Sequence, residues 1–168
     1  YKELGFINFG LVNYLSLLGW NPGTEEEIFS LEELIERFKI ERVQKGGAKF
    51  DYIKAKWINQ KHISKLSIDK FASFFPEELN TIKRTFPKDH MKILRSIQKR
   101  ISLISEFDKE LNPFIEAPSD YDNVALNKLV KKHDLIDILY EIRGIVERKS
   151  VNNLKEDLYK VSKQKEIK

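Results

Sequence analysis

The chain has 168 residues, 41% of them hydrophobic with eleven Phe, and a formal net charge of +4. That apolar content excludes a disordered chain and supports one folded domain or two small ones. Cys is absent, which excludes disulfides, thiolate metal sites and a thiol nucleophile and fits a reducing compartment such as the cytoplasm.

The opening Tyr1-Lys2-Glu3-Leu4 has neither a starting Met nor a signal-peptide pattern, which points to a piece of a longer protein. Phe9 to Leu18 reads as a helix with Leu11, Leu15 and Leu18 on one face and Val12 and Tyr14 nearby, ended by a left-handed Gly19. Trp20-Asn21-Pro22-Gly23 has the residue types of a turn. Ser30-Leu31-Glu32-Glu33 forms a capping box that opens a helix carrying Leu31, Leu34, Ile35 and Phe38 at core spacing. Gly46-Gly47 breaks the chain. Asp51 then caps a helix that runs through Trp57 towards His62, with Ile53 and Trp57 expected in the core.

The character changes at Ser67 to Asp69, a plausible domain boundary, and Phe71, Phe74 and Phe75 lead to Pro76. A long amphipathic helix is expected from about Lys88, with Leu94, Ile97, Ile101 and Ile104 on one stripe, until Asn112-Pro113 ends or kinks it. Pro118-Ser119-Asp120 begins a further helical run, and Ser150 caps a last helix. Runs such as Phe6-Ile7-Asn8-Phe9 are too short for strands, so the expected class is all-α. No apolar run approaches the roughly 20 residues that span a bilayer.

Charge is unevenly spread. Glu25 to Glu41 carries seven acidic and two basic residues, Arg42 to Lys65 seven basic and one acidic, and Thr81 to Lys109 eight basic and three acidic. Two basic blocks fit either an anionic partner, nucleic acid or membrane surface, or simply solvated Lys-rich helix faces. Lys54, Lys61 and Lys65 repeat at i, i+7 and i+11 and share a helix face, while Lys92, Arg95 and Lys99 form an outward row opposite the Ile stripe. Arg100 sits on the flank of that stripe, with Ser96 one turn before and Leu103 one turn after. It can serve as a pre-ordered fork for a base edge or as a structural partner of a carboxylate.

Enzymatic signatures are missing. Lys61-His62-Ile63-Ser64-Lys65 superficially matches the Lys-x-x-Ser-Lys loop of class I synthetases but follows a helix, and Gly46-Gly47 lacks the spacing of a phosphate loop. His62, His90 and His133 are too scattered for metal ligands, and no Ser/His/Asp set is present. No residue is assigned as catalytic.

The ordered series Gly10 to Gly23, Glu27 to Ile35, Glu41-Arg42-Val43, Gly46-Gly47-Ala48, Phe50-Asp51 and Lys56 to Ile63 resembles bacterial-type glutamyl-tRNA synthetases. Later anchors are Arg100, Leu111-Asn112-Pro113-Phe114, Asp120-Tyr121-Asp122 and Ala125-Leu126. The resemblance implies a stem-contact domain over 1–69, a first helical anticodon-binding domain over 70–118 and the truncated opening of a second over 119–168. The helical anticodon part argues against glutaminyl enzymes, whose anticodon part is a β-barrel. The resemblance also implies that both class I signatures lie upstream, so ATP and Mg2+ belong to a monomeric parent and no cofactor to this stretch. The expected partner is tRNA-Glu, and tRNA-Gln as well if the parent charges both. Backbone binding is expected from Lys54, Lys61, Lys65, Lys92, Arg95 and Lys99, and reading of the third anticodon base from Arg100, or from Arg95 if the register slips one turn. The rival readings are a stand-alone helical RNA- or protein-binding module and a purely structural helical domain.

Overall fold

A computed structural model describes residues 1–117, 121–132, 135–147 and 154–164. Two compact units follow one another, Tyr1–Ala117 and Pro118–Lys168. The described residues are helical with no named strand, in keeping with the all-α expectation.

The first unit holds α1 (Asn8–Gly19), α2 (Leu31–Arg37), α3 (Tyr52–Lys65), α4 (Ile68–Ala72), α5 (Pro76–Thr85), α6 (His90–Arg100) and α7 (Phe107–Ile115). Short 3-10 turns lie at Ile40–Arg42 and Ile104–Glu106. α1 lies along α3, and Gly10 makes that approach possible: a Cβ there would sit 2.4 Å from Asn59 Oδ1 and 2.9 Å from Asn59 Cα. The face α1 buries is Gly10, Asn13 and Tyr14, whereas Leu15 and Val12 are exposed. The apolar spacing suggested otherwise, but the small Gly10 and the hydrogen-bonding Asn13 decide which side meets α3.

Gly19 is helical rather than left-handed. Its carbonyl accepts the N–H of Gln44 at 2.9 Å, and Trp20 makes an isolated antiparallel bridge with Val43. This remote partner satisfies the helix end, so no left-handed cap is needed. In the turn that follows, Gly23 is left-handed, φ +81°, and its N–H bonds Asn21 Oδ1 at 2.8 Å.

The capping box holds: Glu33 N–H donates to Ser30 Oγ at 3.1 Å, and Glu33 Oε2 accepts Ser30 N–H at 2.7 Å. Of the four apolar residues expected in the core there, only Leu34 is buried, beside Trp20 and Phe29; Leu31, Ile35 and Phe38 are exposed. α2 is only seven residues long and meets the rest of the unit along a narrow line. Asp51 caps α3 as expected, accepting Lys54 N–H at 3.0 Å.

The largest apolar cluster joins Ile63 of α3 to Phe71, Phe75, Ile82, Leu94, Ile97 and Phe107, with Phe75 stacked on Phe107 at 3.7 Å. It crosses the Ser67–Asp69 region, where Ser67 caps α4 through Lys70 N–H. α5 begins with Pro76 at its first turn. The expected long helix is interrupted: α6 stops at Arg100, and Ile101 and Leu103 are extended. Two tertiary bonds and one local bond compete there with continuation of the helix. Ser102 C=O accepts Asn59 Nδ2 at 2.6 Å, Ser102 N–H donates to Glu106 Oε2 at 2.7 Å, and Ile104 N–H donates to Gly5 C=O at 2.9 Å. Leu103 is therefore not one helical turn from Arg100. Pro113 ends nothing; it lies inside α7, which runs on to Ile115.

The second unit holds α8 (Asn123–Lys132), α9 (Leu135–Glu147) and α10 (Leu154–Gln164). Asp122 Oδ1 caps α8 by accepting Val124 and Ala125 N–H, and α9 packs on α10. Pro118-Ser119-Asp120, His133 and the expected cap Ser150 lie outside the described residues.

Candidate nucleic-acid interface

The helical repeat of α3 puts Lys54, Lys61 and Lys65 within an arc of about 40°. The adjoining side, Ala55, Ile58, Asn59, His62 and Ile63, is buried. The three lysines therefore do share a face, but they differ in freedom. Lys54 is 42% exposed and bonded to Glu27, which already neutralises it. Lys61 is exposed with its Nζ 5.5 Å from the Trp57 ring centroid. Lys65 is exposed at the helix C-terminus, where the dipole favours a cation.

Ile53 and Trp57 are not core residues. They are 81% and 39% exposed, on the side of α3 next to the lysine row. Ala55, Ile58 and His62 supply the buried stripe in their place. The Lys61–Lys65 segment forms the last turns of α3 with His62 and Ile63 buried, so it is not a phosphate-binding loop. His62 Nε2 lies 2.8 Å from Asn13 Oδ1, which also accepts Phe29 N–H at 2.9 Å. Burial, and secondarily the charge of Lys65, lowers the His62 pKa below its ordinary value. The ring is a neutral strut between α1 and α3.

On α6, Lys92, Arg95 and Lys99 are all exposed within an arc of about 60°. Lys92 pairs with Asp89 at 2.8 Å, a solvated contact of little energetic weight. Arg95 and Lys99 make no ion pair with another described residue. Arg100 points towards α7: its Nη1 lies 3.6 Å from Glu110 Oε2 and its side chain is 61% exposed. Arg100 thus has a carboxylate beside it and a guanidinium open to solvent.

The end of α6 is held from beneath. Gln98 Nε2 donates to the carbonyls of Ile63 and Leu66, both at 2.9 Å. Glu106 accepts Ser102 and Leu103 N–H and pairs with Lys56 at 2.6 Å. Burial alone would raise the Glu106 pKa, but Lys56 and those two N–H groups outweigh it and hold the carboxyl below its ordinary range. The two cationic rows therefore stand on helices locked together by buried polar bonds. That arrangement can grip phosphates and hold one guanidinium in place.

Among the described residues no group of three or more His, Cys, Asp or Glu could hold a metal ion. His90 Nδ1 instead lies 2.9 Å from Pro87 C=O. No described helix is long and apolar enough to cross a membrane.

Comparison with known proteins gives this geometry a context. The family model described as tRNA synthetases class I (E and Q), catalytic domain, matches residues 1–57. A glutamate–tRNA ligase of Flavobacterium johnsoniae is 42% identical over 74% of this chain and 25% of its own length. One from Christiangramia forsetii is 35% identical over 99% of this chain and 34% of its own. The crystal structure of a glutamate tRNA ligase from Elizabethkingia meningosepticum in complex with its amino acid shares the fold. It aligns with TM-score 0.72 over 98% of this chain and 33% of that one, at 24% identity. The chain belongs to the bacterial-type glutamyl-tRNA synthetase family. It corresponds to the C-terminal region and spans about a quarter to a third of the length of the synthetases it matches.

Sequence reasoning missed the polar residues that shape this region of the synthetase fold. Asn13, Asn59 and Gln98 are buried, and each bonds segments far apart in the chain. The signal was present, since all three fall on the apolar sides of their helices.

Proposed function

We propose that this chain is the tRNA-holding part of a glutamate–tRNA ligase, gripping the inner arm of the L-shaped RNA along the D stem and the anticodon stem and loop. Lys54, Lys61 and Lys65 on α3, with Lys92, Arg95 and Lys99 on α6, contact phosphates. Lys61, Lys65, Arg95 and Lys99 carry most of that binding, because Lys54 and Lys92 already have carboxylate partners. Arg100 reads an anticodon base, with Arg95 the alternative one turn earlier. The domain division at 69/70 and 118/119 belongs to the same reading, as does a monomeric, cytoplasmic parent.

The observation that carries the reading is the open guanidinium of Arg100, 61% exposed at the end of a helix whose last turn is fixed by Gln98 and Glu106. A fixed fork can discriminate base edges where a mobile one cannot.

The complete enzyme would use ATP and Mg2+ to activate glutamate and transfer it to the 3′ end of tRNA-Glu. The described residues do not fit those groups: they offer no cluster of three or more His, Cys, Asp or Glu for the metal, and the Lys61-x-x-Ser64-Lys65 run is helical. The same reading assigns that chemistry to the rest of the enzyme and to this chain the holding of tRNA. Binding of the chain to tRNA-Glu and tRNA-Gln transcripts at two salt concentrations tests the proposal. Binding at low salt that falls steeply as salt rises is expected. Absence of binding at low salt overturns it.

A further inference from the structure

The proposed phosphate contacts leave the outer stripe of α3 without a role. Ile53 and Trp57 stand one turn apart on it, 81% and 39% exposed. A large aromatic ring that is 39% exposed keeps only part of the burial that usually justifies its size. This one is flanked by cations: Lys61 Nζ lies 5.5 Å from its centroid, and Lys65 follows one turn later. Residues Arg42 to Lys65 carry seven basic side chains against Asp51 alone. An aromatic ring with one lysine over it and a second a turn away suits a ligand that is flat and apolar on its faces and anionic at its margin. Nucleotides have that chemistry, and their bases stack on aromatic rings whatever their sequence. A protein partner would bury the ring as well, but it would have to match the lysines with acidic groups.

We infer that Trp57, with Ile53 as an apolar shoulder, is a stacking platform for an unpaired nucleobase of the bound RNA, held between the ring and the phosphates that Lys61 and Lys65 contact. The inference rests on the RNA-binding reading above and names a binding residue for it. Trp57 supplies affinity without sequence preference, in contrast to the discriminating role proposed for Arg100.

Intrinsic fluorescence provides the test, because the two tryptophans are Trp20, 3% exposed, and Trp57. Neutral acrylamide quenches Trp57 selectively in the free chain. A saturating tRNA-Glu transcript is expected to remove that accessible component. Trp57→Ala should weaken binding roughly 5- to 150-fold, the range for loss of one stacked base. The slope of log affinity against log salt should stay unchanged, since no phosphate contact is lost. Trp57→Phe, which keeps a stacking ring, should restore most of the affinity, and this second variant separates stacking from any loss of folding. If the wild-type chain binds RNA while Trp57 stays fully quenchable, or if Trp57→Ala binds as tightly as wild type, the stacking role is wrong and the RNA reading survives. If the wild-type chain binds no RNA at low salt, both fall.

Discussion

Replacing Asn59 tests the polar framework beneath the candidate interface. Asn59 is fully buried in α3. Its Oδ1 accepts Ile7 N–H at 2.9 Å, and its Nδ2 donates to Ser102 C=O at 2.6 Å. Asn59→Ala leaves both backbone groups without that partner. An orphaned buried group costs about 1–3 kcal/mol, and Ser102, being only partly buried, lies towards the lower end. The sum is roughly 2–5 kcal/mol, a large share of the about 5–15 kcal/mol that holds a small domain folded. For a unit the size of Tyr1–Ala117, each kcal/mol moves the midpoint by about 4 °C, so a fall of roughly 8–20 °C is expected. Both tryptophans lie in this unit, so a thermal melt followed by Trp fluorescence reports on it alone. A fall smaller than about 3 °C would refute the reasoning, because it would mean that water or a local shift satisfies both groups.

Other outcomes follow from the same geometry. Arg100→Ala should reduce discrimination at one anticodon base by roughly 1–3 kcal/mol, measured as the affinity ratio between transcripts differing at that base; an equal loss for every anticodon rules out base reading. Lys61→Ala and Lys65→Ala should each reduce the salt slope of tRNA binding by about one ion, while Lys54→Ala changes it less because Glu27 already neutralises Lys54. An equal effect of all three would show that the Glu27 pair opens on binding. The lowered His62 pKa means that the unfolded chain takes up the proton first as pH falls. Stability is then full above the ordinary His value of about 6.5 and declines below it until the folded ring is protonated. Melting curves from pH 8 to 5 check this, and His62→Gln should remove that part of the decline.

How much of this was readable in the sequence depended on which competing interaction decided each local choice. Local chemistry was legible: the Ser30 capping box and the Asp51 cap formed where their residue types placed them. Helix α5 went unplaced although Pro76, Glu77 and Glu78 at its start and Lys83 and Arg84 at its end are ordinary boundary signals. Apolar spacing misled wherever a helix met its neighbour through small or polar residues, as at Gly10 and Asn13, or was too short to bury its whole stripe, as in α2. The break after Arg100 was only partly local: Glu106 lies four residues on from Ser102, but the other two bonds come from Gly5 and Asn59. The cationic rows were legible because period alone fixes a helix face. Which cations are neutralised was not, because Glu27 and Lys54 are brought together by tertiary packing.

The break after Arg100 also explains why the proposed reader sits where it does. Had α6 continued, Ile101 and Ile104 would have carried on a regular stripe, and Arg100 would be one more mid-helix side chain. Ending the helix there leaves Arg100 in its last turn, on the side facing Glu110 of α7. The residues that hold this end come from α3 and its surroundings: Asn59 to Ser102, Lys56 through Glu106, and the Ile63 and Leu66 carbonyls to Gln98. The outer face of α3 carries Trp57, Lys61 and Lys65, so one helix presents the proposed RNA contacts outward and fixes the base reader from its inner side. The bonds between α3 and the end of α6 are short and buried or part-buried. On this reasoning Asn59→Ala should blur anticodon discrimination at temperatures where the chain is still folded, with overall affinity largely kept because the phosphate-binding lysines remain in place. Equal discrimination by the folded variant and the wild type would show that Glu110 and Glu106 alone suffice to hold the guanidinium.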